Sequence, residues 1–376
     1  MTPAVRHLAT SSERIAGVDA ARAVALVGMA ATHLQALAGA DGRHTLTGVL
    51  FDGRASALFA VLAGVSIALM TGGDAPARLL PPGDRRAYAA AAAGLAVRAI
   101  LIGLLGLALA GLDPPVAVIL AYYGLLFLAA IPLLRLSVPI IAVGAVLACA
   151  FTPVLSHALR AGLPPGPGEQ ADLGFLADPS ALLRTLALTG YYPALPWLTY
   201  LLAGLAVGRS DLRRTRTAVV LLVAGSALTV AAAATSAWLL GAGGAAVLGS
   251  ALDVRRYGTT PTDTWWWLAV DLPHSGTPLD LAGTTCSALA VIGALLLVER
   301  VAAPLIWLPA AVGAVPLTLY TLHVVAVTTD PGAPLWAHVA AACVIGAGLR
   351  LARLRGPLEA AVSWASRRAR AAIARA

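Results

Sequence analysis

Ten apolar segments of roughly 20 residues divide the chain, the length a helix needs to cross a bilayer. They run at 16–38, 55–72, 88–111, 115–134, 137–158, 186–208, 217–240, 279–298, 310–328 and 333–353. Hydrocarbon offers the backbone no hydrogen-bonding partner, so spans of this length fold as helices that satisfy their own N–H and C=O groups. Only 12% of the 376 residues are charged and 59% are hydrophobic, where a soluble domain carries about 25% charged residues. The expected fold is all-α: a polytopic transmembrane helical bundle of about ten spans. The bundle takes residues 1–355, and residues 356–376 form an amphipathic, arginine-rich tail helix on the cytoplasmic surface.

All basic residues are arginine. An even number of spans puts both termini on one side, which then carries eighteen arginines against six opposite. The positive-inside rule makes that side cytoplasmic and points to a bacterial cytoplasmic membrane. The net charge of +8 fits this topology, and no nucleic-acid partner is expected. Cys149, Cys286 and Cys343 lie far apart inside apolar segments and read as packing residues. Residues 1–16 lack the apolar core of a cleavable signal. Two outer connections are long, 159–185 with the stiff run Pro164-Pro165-Gly166-Pro167-Gly168 and 241–278 with Trp265-Trp266-Trp267. The tryptophans suit a membrane interface or the cover of a cavity.

Charge inside a membrane is costly and marks candidate sites. Asp19 and Arg22 open the first span, and His33 follows eleven residues after Arg22. Eleven residues turn a helix by a net of roughly 20° and rise about 16 Å, so Arg22 and His33 share a face. His44 comes eleven residues later in an outer loop, with Asp41 and Asp52 nearby to orient it. An imidazole exchanges protons near neutral pH and suits general-base or nucleophilic work. Arg54, at the outer entrance of the second span, is placed to hold a carboxylate, phosphate or carbonyl oxygen, or simply to snorkel.

Three more groups are candidates for substrate binding: Asp271 with His274 before the eighth span, Tyr320 with His323 on one face of the ninth, and Tyr192 with Trp197 where Pro193 and Pro196 break the sixth. Each can equally be a packing device. No metal is expected, since no histidine pair or cysteine cluster has ligand spacing. A phosphate loop, a dinucleotide fingerprint and a nucleophile elbow are missing as well.

The stretch Arg14-Ile15-Ala16-Gly17-Val18-Asp19-Ala20-Ala21-Arg22, with Met29 and His33, resembles the opening of the heparan-α-glucosaminide N-acetyltransferase family and of related bacterial YeiB-type membrane proteins. The resemblance continues through Phe59–Ser66, Tyr192-Pro193…Trp197 and Leu317-Thr318…Tyr320…His323, and Gly356-Pro357-Leu358-Glu359 is similar to the YeiB-type C-terminus. It implies a multispan acyltransferase carrying acetyl from cytoplasmic acetyl-CoA to an amino sugar on the far side. The family places a catalytic histidine in the loop after the first helix, and His44 falls there. The chain departs from the family in having His33 for an asparagine of the first helix, and Thr45-Leu46 where a tryptophan and an asparagine are usual.

The expected activity is transfer from acetyl-CoA or another acyl-CoA to a cell-envelope sugar or lipid. Arg85, Arg86, Arg209, Arg213 and Arg214 would meet the donor's phosphates, and its thin arm would lie along the Asp19–Arg22–His33 face. His44 would act on the acceptor or carry the acyl group, with His33 or Arg54 polarising the carbonyl. A transporter or flippase using the same charges, or a membrane scaffold, is the alternative; membrane lipids are partners in every case, and a homodimer is left open.

Overall fold

The computed structural model describes residues 14–40, 42–163 and 170–375. Arg6, which entered the charge count, Asp41 and the run Pro164–Gly168 lie outside them. The described chain is helical, with no strand. It begins with α1 (Ala16–Leu34), α2 (Leu46–Phe51), α3 (Arg54–Met70), α4 (Arg85–Ala110) and α5 (Leu120–Ala130). Next come α6 (Val138–Arg160), α7 (Pro179–Arg184), α8 (Ala194–Gly208), α9 (Thr215–Leu239) and α10 (Ala245–Leu248). The last are α11 (Pro278–Val301), α12 (Ala303–Gly313), α13 (Pro316–Thr329), α14 (Leu335–Leu351) and α15 (Pro357–Arg375).

Every expected apolar segment contains helix. Five helical stretches are long and apolar enough to cross a membrane: 46–70, α4, α6, 215–253 and α11. The pair α12 and α13 makes a sixth only as a broken span bent by 63°. Pro316 opens α13, and its missing N–H and fixed φ favour a fresh helix start over continuation. Pro114 and Pro115 likewise delay α5 to Leu120, and Pro193 delays α8 to Ala194. The 15 residues of α8 then reach only about 22 Å at 1.5 Å per residue, short of a hydrocarbon layer of about 30 Å. Residues 111–119 before α5 and the break at 190–193 before α8 are non-helical, and such backbone is tolerated in a membrane where it is buried in protein or lines a cavity.

Close helix contacts hold the bundle. A methyl on Gly204 of α8 would strike the Val61 carbonyl of α3, and one on Gly313 of α12 would strike the Asp19 carbonyl of α1. Helix starts are capped from a distance: Glu299 accepts from the N–H groups of Ala16 and Gly17, each at 2.9 Å, because Ile15 has no side-chain acceptor to offer. Apolar side chains such as Val143, Val146 and Phe151 of α6 and Val223 and Val230 of α9 face outward, the surface lipid would cover. The tail helix α15 runs along α4: Ser366 donates to the Gly94 carbonyl at 2.7 Å and Arg86 to the Ile373 carbonyl at 3.4 Å. We call the end of the bundle with the starts of α1 and α4 the base, and the opposite end the rim.

Candidate functional site

A cavity of about 1190 Å³ opens at the rim. The ends of α1 and α4 and the start of α3 form its floor and walls. Its other sides are the proline-rich lead-in to α5, residues 170–192 and the loop before α11. His33 and Thr32 reach it from α1, Ser56 from α3, and Gln170, Tyr191 and Tyr192 from the second wall. Arg255, Tyr257 and His274 complete it from the last loop. The irregular chain forced by Pro114, Pro115 and Pro193 thus supplies much of the lining.

Asp52 sits beneath this cavity at the turn between α2 and α3, with its side chain 5% exposed. Its Oδ1 accepts from Arg255 Nη2 at 2.7 Å and lies 3.6 Å from His274 Nε2. His274 has φ +59°, a conformation costly for a residue with a Cβ. Its carbonyl accepts from Gly258 N–H at 2.7 Å. Gly53, itself at φ +69°, lets the 273–274 backbone approach: a Cβ there would lie 3.2 Å from Pro273 Cα. Burial of the ring and then the Arg255 charge push the His274 imidazole down to about 4. His274 is therefore neutral at pH 7, with one nitrogen free to take a proton. An Nε2–H aimed at Asp52 would leave that role to Nδ1, the logic of a histidine oriented by a carboxylate.

A second histidine on the cavity has its tautomer set from behind. His33 Nδ1 is 3.0 Å from His323 Nε2, and His323 Nδ1 is 3.1 Å from His338 Nδ1. His338 Nε2 is buried with no partner among the described residues. A buried unpaired N–H is rarer and costlier than an unpaired acceptor, so for neutral rings the proton of His338 belongs on Nδ1. It is donated to His323 Nδ1, the His323 proton then sits on Nε2 and goes to His33 Nδ1, and His33 is left with Nε2–H. The consequence is chemical: His33 offers the cavity a hydrogen-bond donor, the group that polarises a carbonyl, and no lone pair.

His44 lies elsewhere. It is exposed in a tight loop closed by Thr45 N–H to Leu37 O at 3.0 Å, with Ala38 and His44 forming an isolated bridge. It lines a smaller depression of about 290 Å³ with Asp52, Arg54, Asp271 and Asp280. Arg54 is exposed and donates to the Val49 carbonyl, and Asp271 is exposed. Asp280 is buried and accepts from Gly276 N–H at 2.9 Å. Asp52 alone of the expected catalytic residues links the two spaces: it lines the small depression and contacts Arg255 and His274, which line the large cavity.

The expected polar track along α1 is interrupted. Arg22 is paired with Asp19 and donates to Ser66 Oγ at 2.9 Å near the base. The cavity lining on α1 stops at Met29, two helical turns away, with Ala25 wholly buried between. Among the arginines expected to meet phosphates, Arg85, Arg86, Arg213 and Arg214 are exposed at the base, where Arg214 pairs with Asp211 at 2.9 Å. Arg209 differs: it is buried and donates to the Leu134 carbonyl at 2.5 Å. Tyr320 stays in the core, where its oxygen accepts from Ile119 N–H at 3.2 Å. Trp197 packs edge-on behind Tyr192, with ring centroids 5.0 Å apart.

Sequence reasoning brought His33, Asp52, Tyr192 and His274 to the candidate list without showing that they converge. It missed Arg255 and His338. Arg255 looked like one of six outer arginines, and His338 a lone histidine in an apolar helix; contact with Asp52 or His323 is what gives them a role. Among the described residues no group of three or more His, Cys, Asp or Glu side chains is arranged to hold a metal ion.

Residues 14–239 match the profile of the family described as heparan-alpha-glucosaminide N-acetyltransferase, catalytic. No curated protein matches the chain. The matched region runs from the start of α1 to the end of α9 and includes His33, His44, Asp52 and Tyr192, while Arg255, His274, His323 and His338 lie beyond it. It covers well over half of the sequence, so the chain belongs to the heparan-alpha-glucosaminide N-acetyltransferase family.

Proposed function

We propose that this protein is an integral membrane acyltransferase that passes an acyl group, acetyl by family likeness, from acyl-CoA to a hydroxyl or amine held in the rim cavity. The acyl-CoA enters at the base, its arm passing between helices by a route other than the covered Arg22–His33 face of α1. The base is cytoplasmic on this reading, because the arginine excess lies there. The observation that carries it is the cavity where His33, His274 and Arg255 converge above Asp52. Its mixed polar and aromatic lining, with Tyr191, Tyr192 and Tyr257, suits a sugar or a lipid-linked sugar as acceptor.

The donor supplies an activated acyl thioester. His274, neutral at pH 7, takes the proton of the acceptor's hydroxyl or amine as that group bonds to the acyl carbon, and returns it to the sulfur as the C–S bond breaks. No proton is gained or lost overall. Asp52 orients His274 and steadies its transient positive charge. Arg255 keeps Asp52 in place and neutralises it between turnovers. His33 Nε2–H stands to bond the carbonyl oxygen where negative charge develops. His44 is the family-derived alternative for the base, acting from the other side of Asp52.

The test is transfer of labelled acetyl from acetyl-CoA to amino-sugar and lipid-linked sugar acceptors by purified protein in nanodiscs. Labelled acceptor, lost in a folded His274→Gln protein, supports the reading. Movement of a solute into liposomes with no thioester consumed would contradict it.

A further inference from the structure

Near the base, α3, α4 and the tail helix α15 enclose a cavity of about 230 Å³ that the reaction above does not use. Three arginines line it: Arg98 from α4, and Arg367 and Arg370 from α15. Arg98 is half-buried, and its Nη2 lies 3.4 Å from Ser363 Oγ. Gly94 makes room for Arg370, since a Cβ there would come within 2.7 Å of Arg370 Cγ. Ser366 donates to the Gly94 carbonyl at 2.7 Å and fixes the two helices against each other.

Among the described residues no carboxylate lines this cavity. Glu359, on the same helix, acts on Arg98 through space, but its oxygens are bonded elsewhere: Oε1 accepts from Leu317 and Thr318 N–H at 2.7 and 3.0 Å, and Oε2 from Thr318 Oγ1 at 2.5 Å. Arg370 is half-buried like Arg98 and Arg367 is exposed. Gathering the three guanidiniums around one small space costs repulsion, most of it between the two half-buried ones, that a bound anion relieves. A single carboxylate satisfies one guanidinium fork, whereas a phosphate presents enough oxygens for several. The volume equals roughly eight waters at about 30 Å³ each, room for one phosphate and the start of its ester and too little for a whole nucleotide.

We propose that Arg98, Arg367 and Arg370 form a phosphate-binding site that the tail helix closes against α4. Arg98 lies within the family match, whereas Arg367 and Arg370, and the tail helix that carries them, lie beyond its end at residue 239. The phosphate can come from two sources, the nucleotide end of CoA or the headgroup of an anionic lipid. The CoA source rests on the acyl-CoA reading above; the site itself does not.

The experiment uses the full chain and the double variant Arg98→Gln/Arg370→Gln. Arg368→Gln is the control, removing one arginine charge from the outward side of α15, where Arg368 stacks on Trp364. In lipid-free detergent, affinities for CoA and for 3′-dephospho-CoA are measured. In nanodiscs, thermal stability is compared between phosphatidylcholine alone and phosphatidylcholine with phosphatidylglycerol. If the site holds CoA, loss of the 3′-phosphate weakens binding to the wild type and to Arg368→Gln about tenfold, and the double variant no longer distinguishes the two ligands. If it holds lipid, phosphatidylglycerol raises the Tm of the wild type and the control but not of the double variant. That second result supports the site even where CoA fails to bind, which would count against the acyl-CoA reading alone. A double variant that behaves like wild type in both arms overturns the site. Should the double variant unfold, Arg370→Lys, which keeps charge and loses the fork, must show a partial loss in one arm or the proposal fails.

Discussion

The two rim depressions, one lined by Asp52 and the other by its partners Arg255 and His274, hold similar residue types and differ in what surrounds them. In the large cavity His274 has its side chain 15% exposed, is fixed in a strained backbone conformation and stands beside an Arg255–Asp52 pair. His33, opposite, is positioned through two further imidazoles. In the small depression His44 and Arg54 are exposed, and the contact made by Arg54 is to its own neighbouring turn. Preorganised groups shielded from water do more for a transition state than solvated ones. The comparison favours the side with the constrained geometry over the side with the family-like position.

Substitutions in the two places should separate them. His274→Ala is expected to lower transfer by about 10² to 10⁴, the usual worth of a general base, with Tm little changed; His44→Ala should retain activity within about threefold. The reverse ranking in the same acetyl-transfer assay would move the working site to the small depression. Asp52 lines the small depression and stands beside His274, so Asp52→Asn should cost about 10² in kcat whichever histidine works, and a harmless Asp52→Asn would remove the shared element.

The histidine relay gives a smaller and more specific effect. His338→Phe frees His33 to carry its proton on either nitrogen. A drop of about tenfold in kcat with KM unchanged is expected, together with a shift of the His33 imidazole ¹⁵N signals away from the Nε2–H pattern. Unaltered ¹⁵N signals would mean that His33 is not set from behind. The pH profile sharpens the same point. His274 stays unprotonated in the folded protein until about pH 4, so the acid limb of kcat/KM should fall near 4 and not near the ordinary imidazole value of about 6.5. The unfolded chain takes up that proton near 6.5, so stability should decline as pH drops from about 6.5 to about 4. An acid limb at 6.5 would point to a solvated imidazole. The smallest effect concerns support: Gly53→Ala, at φ +69°, should cost about 1 to 2 kcal/mol for the left-handed conformation, read as a Tm loss of a few degrees. No loss would mean that the close approach to Pro273 is dispensable.

How much of this was readable in the sequence depended on whether the signal was local. Helices at all ten apolar segments follow from length and hydropathy, which each segment carries by itself. The proline breaks at Pro114, Pro193 and Pro316 were visible as residues, but only the Tyr192–Trp197 break was read as interrupting a span. The position of Asp52 in the loop was legible, and so was a histidine at 274. The Arg255–Asp52 pair spans 203 residues and the His33–His323 contact 290, and single-helix periodicity carries no information about such meetings. The Arg22–His33 spacing shows the limit in the other direction. Two residues on one helical face were correctly placed there, yet neighbouring helices cover the face between them, and a helical wheel does not know its neighbours.

The central claim is that acyl transfer occurs in the large rim cavity, between His33 and His274. The most direct test is a cryo-EM structure of the protein in nanodiscs with a non-cleavable acyl-CoA analogue joined to an amino-sugar acceptor. The account predicts the acyl carbon within the cavity, its oxygen in hydrogen-bond reach of His33 Nε2 and the acceptor atom facing His274. An analogue seated in the small depression against His44, with the large cavity free of it, would contradict the account.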